Sequence, residues 1–340
     1  MSEVKSRPRR LAYALSLLGA ALFAPSPKVA AEQSAEIIAP CPQWLDGDAT
    51  HLYWMSQHDD REVRKLALAD GSITKLGKDC SASLTGSPIA DREALYCIDG
   101  SWRNLLRIDK ASGAKTSSPL GKQSIGPLIL SSNEVYFAYY EGRDNHGIAR
   151  LPKPGGAAQS LIEVSYPLPS FAADADGLVW LDAAGSVMTL AAGQKQPKTA
   201  GKLPDCAHDA SIKAHCNVVA DSQSIYVGYE PRCGSHDACP REVSRIDRLP
   251  RQGGAVQNLV GKLRMVHNLR LHAGTLFFSD CISGTISQLP RQGGARKSIE
   301  ATGSCWAYSL GEREAFWFNG GKKLDWSDCQ LRRVSYETFK

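Results

Sequence analysis

Leu276-Phe277-Phe278 is one of seven short apolar segments, each containing a large aromatic side chain, that recur along this sequence. The other six are Leu52-Tyr53-Trp54, Leu95-Tyr96, Val135-Tyr136-Phe137, Leu178-Val179-Trp180, Ile225-Tyr226 and Ala315-Phe316-Trp317. From Tyr53 to Phe316 the successive steps are 43, 40, 43, 47, 51 and 39 residues. A period of this size corresponds to one four-stranded blade of a β-propeller. The sequence therefore predicts an all-β, seven-bladed propeller, with a six-bladed ring as the alternative.

The seventh repeat is one strand short, because a strand at residues 315–318 and another near residues 330–336 are followed by only a few residues. The β-prone segment Glu36-Ile37-Ile38-Ala39 precedes the first complete repeat. We assign this segment as the outer strand of the last blade, since such closure removes an exposed sheet edge. The alternative is a disordered terminal segment.

The first 31 residues have the three parts of a secretory signal peptide. The basic residues Lys5, Arg7, Arg9 and Arg10 precede an uncharged apolar run over residues 11–24, and Val29-Ala30-Ala31 stands before Glu32. The run has 14 residues, fewer than the roughly 20 of a membrane-spanning helix, although an uncleaved anchor is the alternative. We predict a signal peptide over residues 1–31, one propeller domain over residues 32–340 with no membrane span, and a secreted or periplasmic protein.

Removal of the leader changes the charge of the chain. Residues 1–31 carry five basic groups and one acid, which account for +4 of the formal net charge of +5. In the remainder, Lys and Arg are interspersed with Asp and Glu. Nucleic-acid binders usually carry a concentrated basic surface, so we exclude nucleic acid as a partner.

All ten cysteines follow the predicted cleavage site, and an even number in an exported chain indicates disulfides. Sequence alone does not give the pairing, but proximity favours Cys80 with Cys97, Cys206 with Cys216, Cys233 with Cys239, and Cys281 with Cys305. Cys41 and Cys329 then remain for each other. That last pair would join the two ends of a closed ring.

The sixth repeat, Phe277-Phe278-Ser279-Asp280, resembles the Tyr-Trp-Thr-Asp signature of propellers of the low-density lipoprotein receptor class B type and of related secreted bacterial propellers. Further matches are Phe316-Trp317-Phe318-Asn319 and the acids Asp99 and Asp182, whereas Ser56, Tyr139 and Tyr229 replace the acid in three repeats. The resemblance implies a propeller in which this acid hydrogen-bonds between neighbouring blades. It implies no particular ligand.

The fifth repeat is the longest and holds the densest group of possible metal ligands: Cys206, His208, His215, Cys216, Cys233, His236 and Cys239. Structural zinc sites favour closely paired ligands such as two Cys separated by two residues. The wider spacing here favours disulfides, so we predict no metal. The repeat also contains an insertion over residues 230–242, which we call the insertion loop.

In a propeller, the connections between second and third strands emerge on one face together with the connections between blades. We call this the loop-rich face and predict that it binds a protein, peptide or carbohydrate, because loops carry function more often than strands. Its candidate contact residues are Trp102, Arg103, Arg143, His146, Arg232, His236 and Trp326. Exposed aromatic residues flanked by polar groups are typical anchors, although both Trp side chains could instead pack on the rim.

Catalytic motifs are missing from the sequence. It contains no Gly-x-Ser-x-Gly elbow, His-Glu-x-x-His helix or Walker loop, so we assign no catalytic residue and no cofactor. Asp46-Gly47-Asp48 and Asp174-Ala175-Asp176-Gly177 lack the remaining ligands of a calcium loop and are interpreted as turns. We therefore predict a monomeric binding or scaffold module. The alternative is a lyase or hydrolase that uses His267 or His272 at the mouth of the central channel as a general base.

Overall fold

The computed structural model describes residues 38–39, 42–48, 50–56, 62–81, 88–142, 145–164, 170–207, 214–231, 242–280, 282–301, 308–319 and 329–339. Within these ranges the chain forms seven antiparallel four-stranded sheets arranged as the blades of a propeller. The helical residues in these ranges are two 3-10 turns, Pro204–Cys206 and Tyr336–Thr338. The predicted seven-bladed fold is confirmed. None of the helices in these ranges has the length and apolarity of a membrane span.

Blade 1 consists of β2 (Pro42–Gly47), β3 (His51–Ser56), β4 (Val63–Ala67) and β5 (Ile73–Gly77), and blade 2 of β6 (Ile89–Ala90), β7 (Ala94–Ile98), β8 (Asn104–Asp109) and β9 (Lys115–Pro119). Blade 3 consists of β10 (Gln123–Leu130), β11 (Glu134–Glu141), β12 (Asn145–Pro152) and β13 (Gln159–Glu163), and blade 4 of β14 (Phe171–Asp174), β15 (Gly177–Leu181), β16 (Ser186–Ala191) and β17 (Lys198–Lys202). Blade 5 consists of β18 (Ala214–Ala220), β19 (Ser224–Pro231), β20 (Ser244–Pro250) and β21 (Gln257–Leu263), and blade 6 of β22 (His267–His272), β23 (Thr275–Asp280), β24 (Thr285–Pro290) and β25 (Lys297–Glu300). Blade 7 consists of β26 (Tyr308–Leu310), β27 (Glu314–Asn319), β28 (Cys329–Ser335) and β1 (Ile38–Ala39).

The second strand of each blade carries the repeated aromatic segment. Every residue of β7 and of β15 is buried. A strand that is covered on both faces loses the apolar–polar alternation of a half-exposed strand and becomes a continuous apolar run. The repeated segments are apolar on both sides because each blade packs between two others.

The apolar core is divided among the junctions between blades. Seven clusters of buried side chains are present, and each joins residues of two neighbouring blades. At the junction of blades 7 and 1, for example, Trp54 packs with Phe316 and Phe318. Alternate residues of one strand therefore contribute to different clusters: Tyr226 packs toward blade 6 and Val227 toward blade 4.

Strand β1 closes the ring. Ile38 pairs with Gln330 and Ala39 pairs with Cys329, both antiparallel, so β1 is the outermost strand of blade 7. The predicted closure by an N-terminal strand is confirmed for these two residues. Glu36 and Ile37 lie outside the described residues.

Two of the predicted disulfides are present. Cys80 is bonded to Cys97, and Cys206 is bonded to Cys216. The other predicted pairs involve Cys41, Cys233, Cys239, Cys281 and Cys305, which lie outside the described residues. Cys329 is the first residue of β28, and its pairing with Cys41 stays a prediction.

Asp residues fold the turns between the first and second strands. Asp48 accepts hydrogen bonds from the backbone N–H groups of Thr50 and His51, each at 2.9 Å, and from the Tyr53 hydroxyl at 3.2 Å. Asp174 accepts one from the N–H group of Asp176 at 2.9 Å. The interpretation as turn formers is confirmed for Asp48 and Asp174, whereas Asp46 lies in β2 and accepts a hydrogen bond from the backbone N–H group of Ala90 in blade 2.

The same acids also connect neighbouring blades. The Lys110 ammonium group of blade 2 lies 2.9 Å from the Asp48 carboxylate of blade 1 and 4.2 Å from the centre of the Tyr53 ring. Equivalent pairs join Lys153 to Asp91, Arg251 to Asp174 and Arg291 to Asp221. We call these four contacts the inter-blade ion pairs. Sequence reasoning missed them, because the partners are 62 to 77 residues apart.

The acidic position of the Tyr-Trp-Thr-Asp signature has a different role. Asp99 accepts hydrogen bonds from the N–H groups of Arg103 and Asn104, and Asp182 and Asp280 likewise accept from backbone N–H groups of the turns that follow them. These bonds lie within one blade. The resemblance implied a bond between blades, and in this protein the turn acids described above make that connection instead.

Lys110→Met is expected to lower the free energy of unfolding by about 1–2 kcal/mol, because it leaves a half-buried Asp48 without its cation. Burial opposes ionisation of Asp48, but hydrogen bonds from Lys110 and Thr50 outweigh it and hold the pKa of this carboxyl below its usual value. The contribution of the pair is therefore present at neutral pH and is lost as the pH falls into the strongly acid range. Urea denaturation at pH 7 measures the loss. Lys115→Met is the matched control, because the Lys115–Asp79 pair is largely exposed and should contribute little. Equal effects of the two variants would contradict the assignment.

Candidate functional site

Trp102 and Arg103 lie in the turn between β7 and β8 on the loop-rich face. Trp102 has a left-handed backbone (φ 65°), and its half-buried indole packs against the cluster between blades 2 and 3. The backbone N–H group of Trp102 donates to the Asp99 carbonyl, and the Trp102 carbonyl accepts from the backbone N–H group of Ser124. Arg103 is exposed. The turn therefore presents the Arg103 guanidinium to solvent, while much of the neighbouring indole is covered.

His146 lies inside blade 3. It belongs to β12, is only 4 % exposed, and its ring centre is 4.9 Å from that of Tyr140. The sequence analysis placed His146 on the loop surface, whereas the structure buries it in the sheet. The reason is that β12 already starts at Asn145. The other predicted contact residues, Arg143, Arg232, His236 and Trp326, lie outside the described residues.

A titratable cluster that the sequence analysis did not assemble lies between blades 5 and 6. Glu230 is at the end of β19, His267 begins β22 and Asp280 ends β23. The His267 Nε2 atom is 3.3 Å from the Glu230 Oε1 atom. Glu230 and Asp280 are each 4 % exposed. The sequence analysis identified His267 without assigning it a partner, and it placed Glu230 in the insertion loop although β19 continues through Pro231.

Burial dominates the chemistry of Glu230. Together with the nearby charge of Asp280, it raises the pKa of Glu230 to about 8, because a carboxylate is poorly stabilised away from water. The Oε2 atom is buried and makes no hydrogen bond within the described part of the chain. At neutral pH this side chain is therefore mostly a neutral acid that can donate a hydrogen bond.

His272 lies at the opposite end of β22 from His267 and does not join this cluster. Its ring meets Tyr336 edge-on, with the ring centres 6.2 Å apart. Burial lowers the pKa of His272, and the charge of Glu312 opposes this effect. Of the two histidines proposed for the channel, only His267 has a carboxyl partner at hydrogen-bonding range among the described residues.

An ion-pair network lies at the same edge of blade 5, on the side that faces blade 4. Arg245 forms ion pairs with Asp205 and with Asp247, each at 2.7 Å, and its guanidinium lies 4.4 Å from the centre of the Tyr229 ring. The Cys206–Cys216 bond fixes the connection that enters blade 5, so these two cysteines are not zinc ligands. Residues 232–241 of the insertion loop, outside the described ranges, are connected to β19 and β20 at this edge.

Solved structures share the architecture with low sequence identity. An oligogalacturonate lyase from Vibrio parahaemolyticus is similar with a TM-score of 0.62 and 9% identity, covering 89% of this chain and 92% of that one. A chain of the mitotic checkpoint complex has a TM-score of 0.61 and 15% identity, covering 97% and 100%. A streptogramin B lyase has a TM-score of 0.59 and 12% identity, covering 90% and 97%. These similarities show the propeller fold alone. No protein-family model and no curated protein matches the sequence.

Glu230→Gln tests the buried acid. Folding raises the pKa of Glu230 from the ordinary value of 4.5 to about 8. The wild-type protein therefore loses free energy of unfolding as the pH rises from 4.5 to about 8. The neutral glutamine avoids this cost, so the variant should be more stable than the wild type at pH 9, by about 5 kcal/mol, and similar to it at pH 4. Thermal unfolding between pH 4 and pH 9 checks this.

Glu141→Gln is the control for this series, since Glu141 is a partly exposed carboxylate paired with Lys122 at 3.3 Å. It should show no gain at alkaline pH. If the melting temperature of Glu230→Gln equals that of the wild type at every pH from 4 to 9, Glu230 ionises normally and the assignment is wrong.

Proposed function

We propose that this protein is an exported binding or scaffold module that holds a protein, peptide or carbohydrate partner on its loop-rich face. The observation that carries the proposal is the fixed base of the insertion loop. On one side stands the Cys206–Cys216 bond, and on the other the ion pairs of Arg245 with Asp205 and Asp247. A connection that starts and ends on a rigid base loses less conformational entropy when it binds a partner.

Two features support export. The two disulfides belong to oxidising compartments such as the periplasm or the extracellular space. The sequence of residues 1–31 has the composition of a cleaved leader. The exported form is then residues 32–340, and we propose that it acts as a monomer in the periplasm or outside the cell.

The binding role is tested with the exported form on arrays of peptides and oligosaccharides. A variant with residues 232–241 replaced by a Gly-Ser segment of equal length, and an Arg103→Ala variant, should lose at least about tenfold in affinity for the captured ligands. Their melting temperatures should match that of the wild type. Lys195→Ala, on the opposite face, is the control and should bind normally. Binding that survives both loop-rich-face changes would contradict the proposal.

A second function, lyase or hydrolase activity, is favoured by one specific contact. His267 Nε2 lies 3.3 Å from Glu230 Oε1, which supplies the acidic partner that a histidine base requires for orientation. In this function the ionised form of Glu230 accepts a hydrogen bond from the His267 Nε2–H group and holds the imidazole ring, and the Nδ1 atom of His267 accepts a proton from the substrate or from an attacking water. Two of the structurally similar proteins are lyases, which makes elimination substrates a reasonable first choice.

His267→Gln and Glu230→Gln test this second function on a panel of lactones, esters and uronate oligosaccharides. We expect His267→Gln to reduce turnover at least about a hundredfold, the usual contribution of a general base. Glu230→Gln should instead move the pH dependence of turnover, because Glu230 acts through His267. Absence of turnover on the whole panel, or turnover unaffected by His267→Gln, would favour the binding role alone.

A further inference from the structure

Each blade has one residue, at the turn between its third and fourth strands, that occupies the same structural position. The backbone N–H group of this residue donates to a carbonyl in the turn between the first and second strands of the same blade. In order from blade 1 to blade 7, these residues are Leu68, Lys110, Lys153, Ala192, Arg251, Arg291 and Tyr336. The shared hydrogen bond allows the seven junctions to be compared residue by residue.

Five junctions are filled at this position. The four inter-blade ion pairs place Lys110, Lys153, Arg251 or Arg291 against an Asp of the preceding blade. At the junction of blades 6 and 7, Tyr336 packs on Phe277, with ring centres 5.0 Å apart. The side chain at this position therefore covers the junction, by charge or by aromatic contact.

At two further junctions, both the cation and the Asp of the inter-blade ion pair are replaced. Between blades 3 and 4 the equivalent residues are Ser131 and Ala192, and between blades 7 and 1 they are Gly311 and Leu68. At each of these junctions the surface opens into a groove, of about 630 Å³ and 670 Å³ respectively. A third groove, of about 800 Å³, lies at the junction of blades 2 and 3, where Lys153 and Asp91 are paired. What distinguishes the groove between blades 7 and 1 is therefore the chemistry of its lining.

The groove between blades 7 and 1 has the composition that a basic side chain requires. Leu68, Phe316 and Tyr336 provide its apolar and aromatic lining, and the carboxyl groups of Glu312, Glu314 and Glu337 lie around them. In the described part of the chain these three carboxylates form no ion pair. The rest of the lining is Asp48, Gly311, Ser335 and one cation, Arg313.

The groove between blades 3 and 4 differs in its charges. Its carboxylate Glu134 already pairs with Arg150 at 3.1 Å, and it accepts the Tyr136 hydroxyl at 2.7 Å. Asp174 in the same lining is bound by Arg251. Acids of this groove are therefore neutralised from within the chain. In the groove between blades 7 and 1 the same holds for Asp48, which pairs with Lys110, whereas Glu312, Glu314 and Glu337 form no ion pair in the described part of the chain.

We propose that the groove between blades 7 and 1 binds a Lys or Arg side chain of a partner peptide, in the way that Lys110 occupies the next junction. The aliphatic stem lies on Leu68 and Phe316, and the charged head contacts the surrounding carboxylates. The same chain shows this arrangement internally, since Lys110 lies over the Tyr53 ring and against Asp48. Burial of the stem and charge complementarity both favour the complex.

This site is separate from the loop-rich face. The turns between first and second strands and between third and fourth strands form the opposite face of the propeller, so neither the insertion loop nor Arg103 contributes to it. The inference therefore goes beyond the function proposed above and does not depend on it.

The test uses the exported form and two blocked pentapeptides, Gly-Gly-Arg-Gly-Gly and its citrulline counterpart, with binding followed by NMR titration at low salt. The arginine peptide should bind at least about tenfold more tightly than the neutral one and should be released by 0.5 M salt. Leu68→Lys supplies the missing cation from within the chain, so it should fill the groove and weaken binding at least about tenfold.

Three further variants keep the test decisive. Glu312→Gln with Glu337→Gln changes two exposed side chains and should weaken arginine binding at least about threefold without altering the fold. Ala192→Lys, the same change at the junction of blades 3 and 4, is the matched control and should leave binding intact. Replacement of residues 232–241 should also leave it intact, which separates this site from the loop-rich face. Equal binding of the citrulline peptide, or arginine binding that survives both Leu68→Lys and the double Glu variant, would overturn the proposal.

Discussion

The constraint on which this structure depends is that each blade must be covered on both of its faces. The second strands are apolar on both sides, and every buried cluster belongs to two blades at once. A single blade would expose one apolar face to water at a cost of roughly 25 cal/mol for each Å². Only a closed ring covers both faces of all seven blades. The two residue pairs that join β1 to β28 therefore stabilise the whole ring as well as one strand edge.

Polar interactions then distinguish the two faces of the ring. On one face, Asp residues at the turns connect blades through Lys or Arg, and tyrosine hydroxyls add further hydrogen bonds to three of those acids. On the loop-rich face, Asp99, Asp182 and Asp280 fold their own turns, and the junction of blades 5 and 6 buries Glu230 beside His267. The first arrangement stabilises charges by pairing them, whereas the second keeps a carboxyl group neutral by burial.

The fold could be predicted from the sequence because its strongest signal is periodic. Recurrence of the segment around Tyr53 gives the number of blades, and the spare segment ending at Ala39 gives the closing strand. Cys80–Cys97 and Cys206–Cys216 were also accessible, since partners 17 and 10 residues apart lie on adjacent strands or turns. Each of these predictions needed only local spacing.

Contacts between blades were not accessible in the same way. Lys110 meets Asp48 from 62 positions away, and Glu230 meets His267 only because alternate residues of β19 point to different neighbours. One signal was present in the repeats. A cation follows the third strand of four blades, at Lys110, Lys153, Arg251 and Arg291. An Asp stands at or directly after the end of the first strand of four blades, at Asp48, Asp91, Asp174 and Asp221. Aligning the repeats by these polar positions, as well as by their aromatic residues, would have indicated the pairs. The burial of His146 could not be foreseen, because it depends on where β12 starts.

Closure by β1 also affects how the polypeptide acquires its structure. Ile38 meets Gln330 across about 290 residues, so the seventh sheet cannot be completed until almost the entire polypeptide has left the ribosome. Pairings of such long range make folding slow, and partly assembled rings expose apolar sheets that promote aggregation.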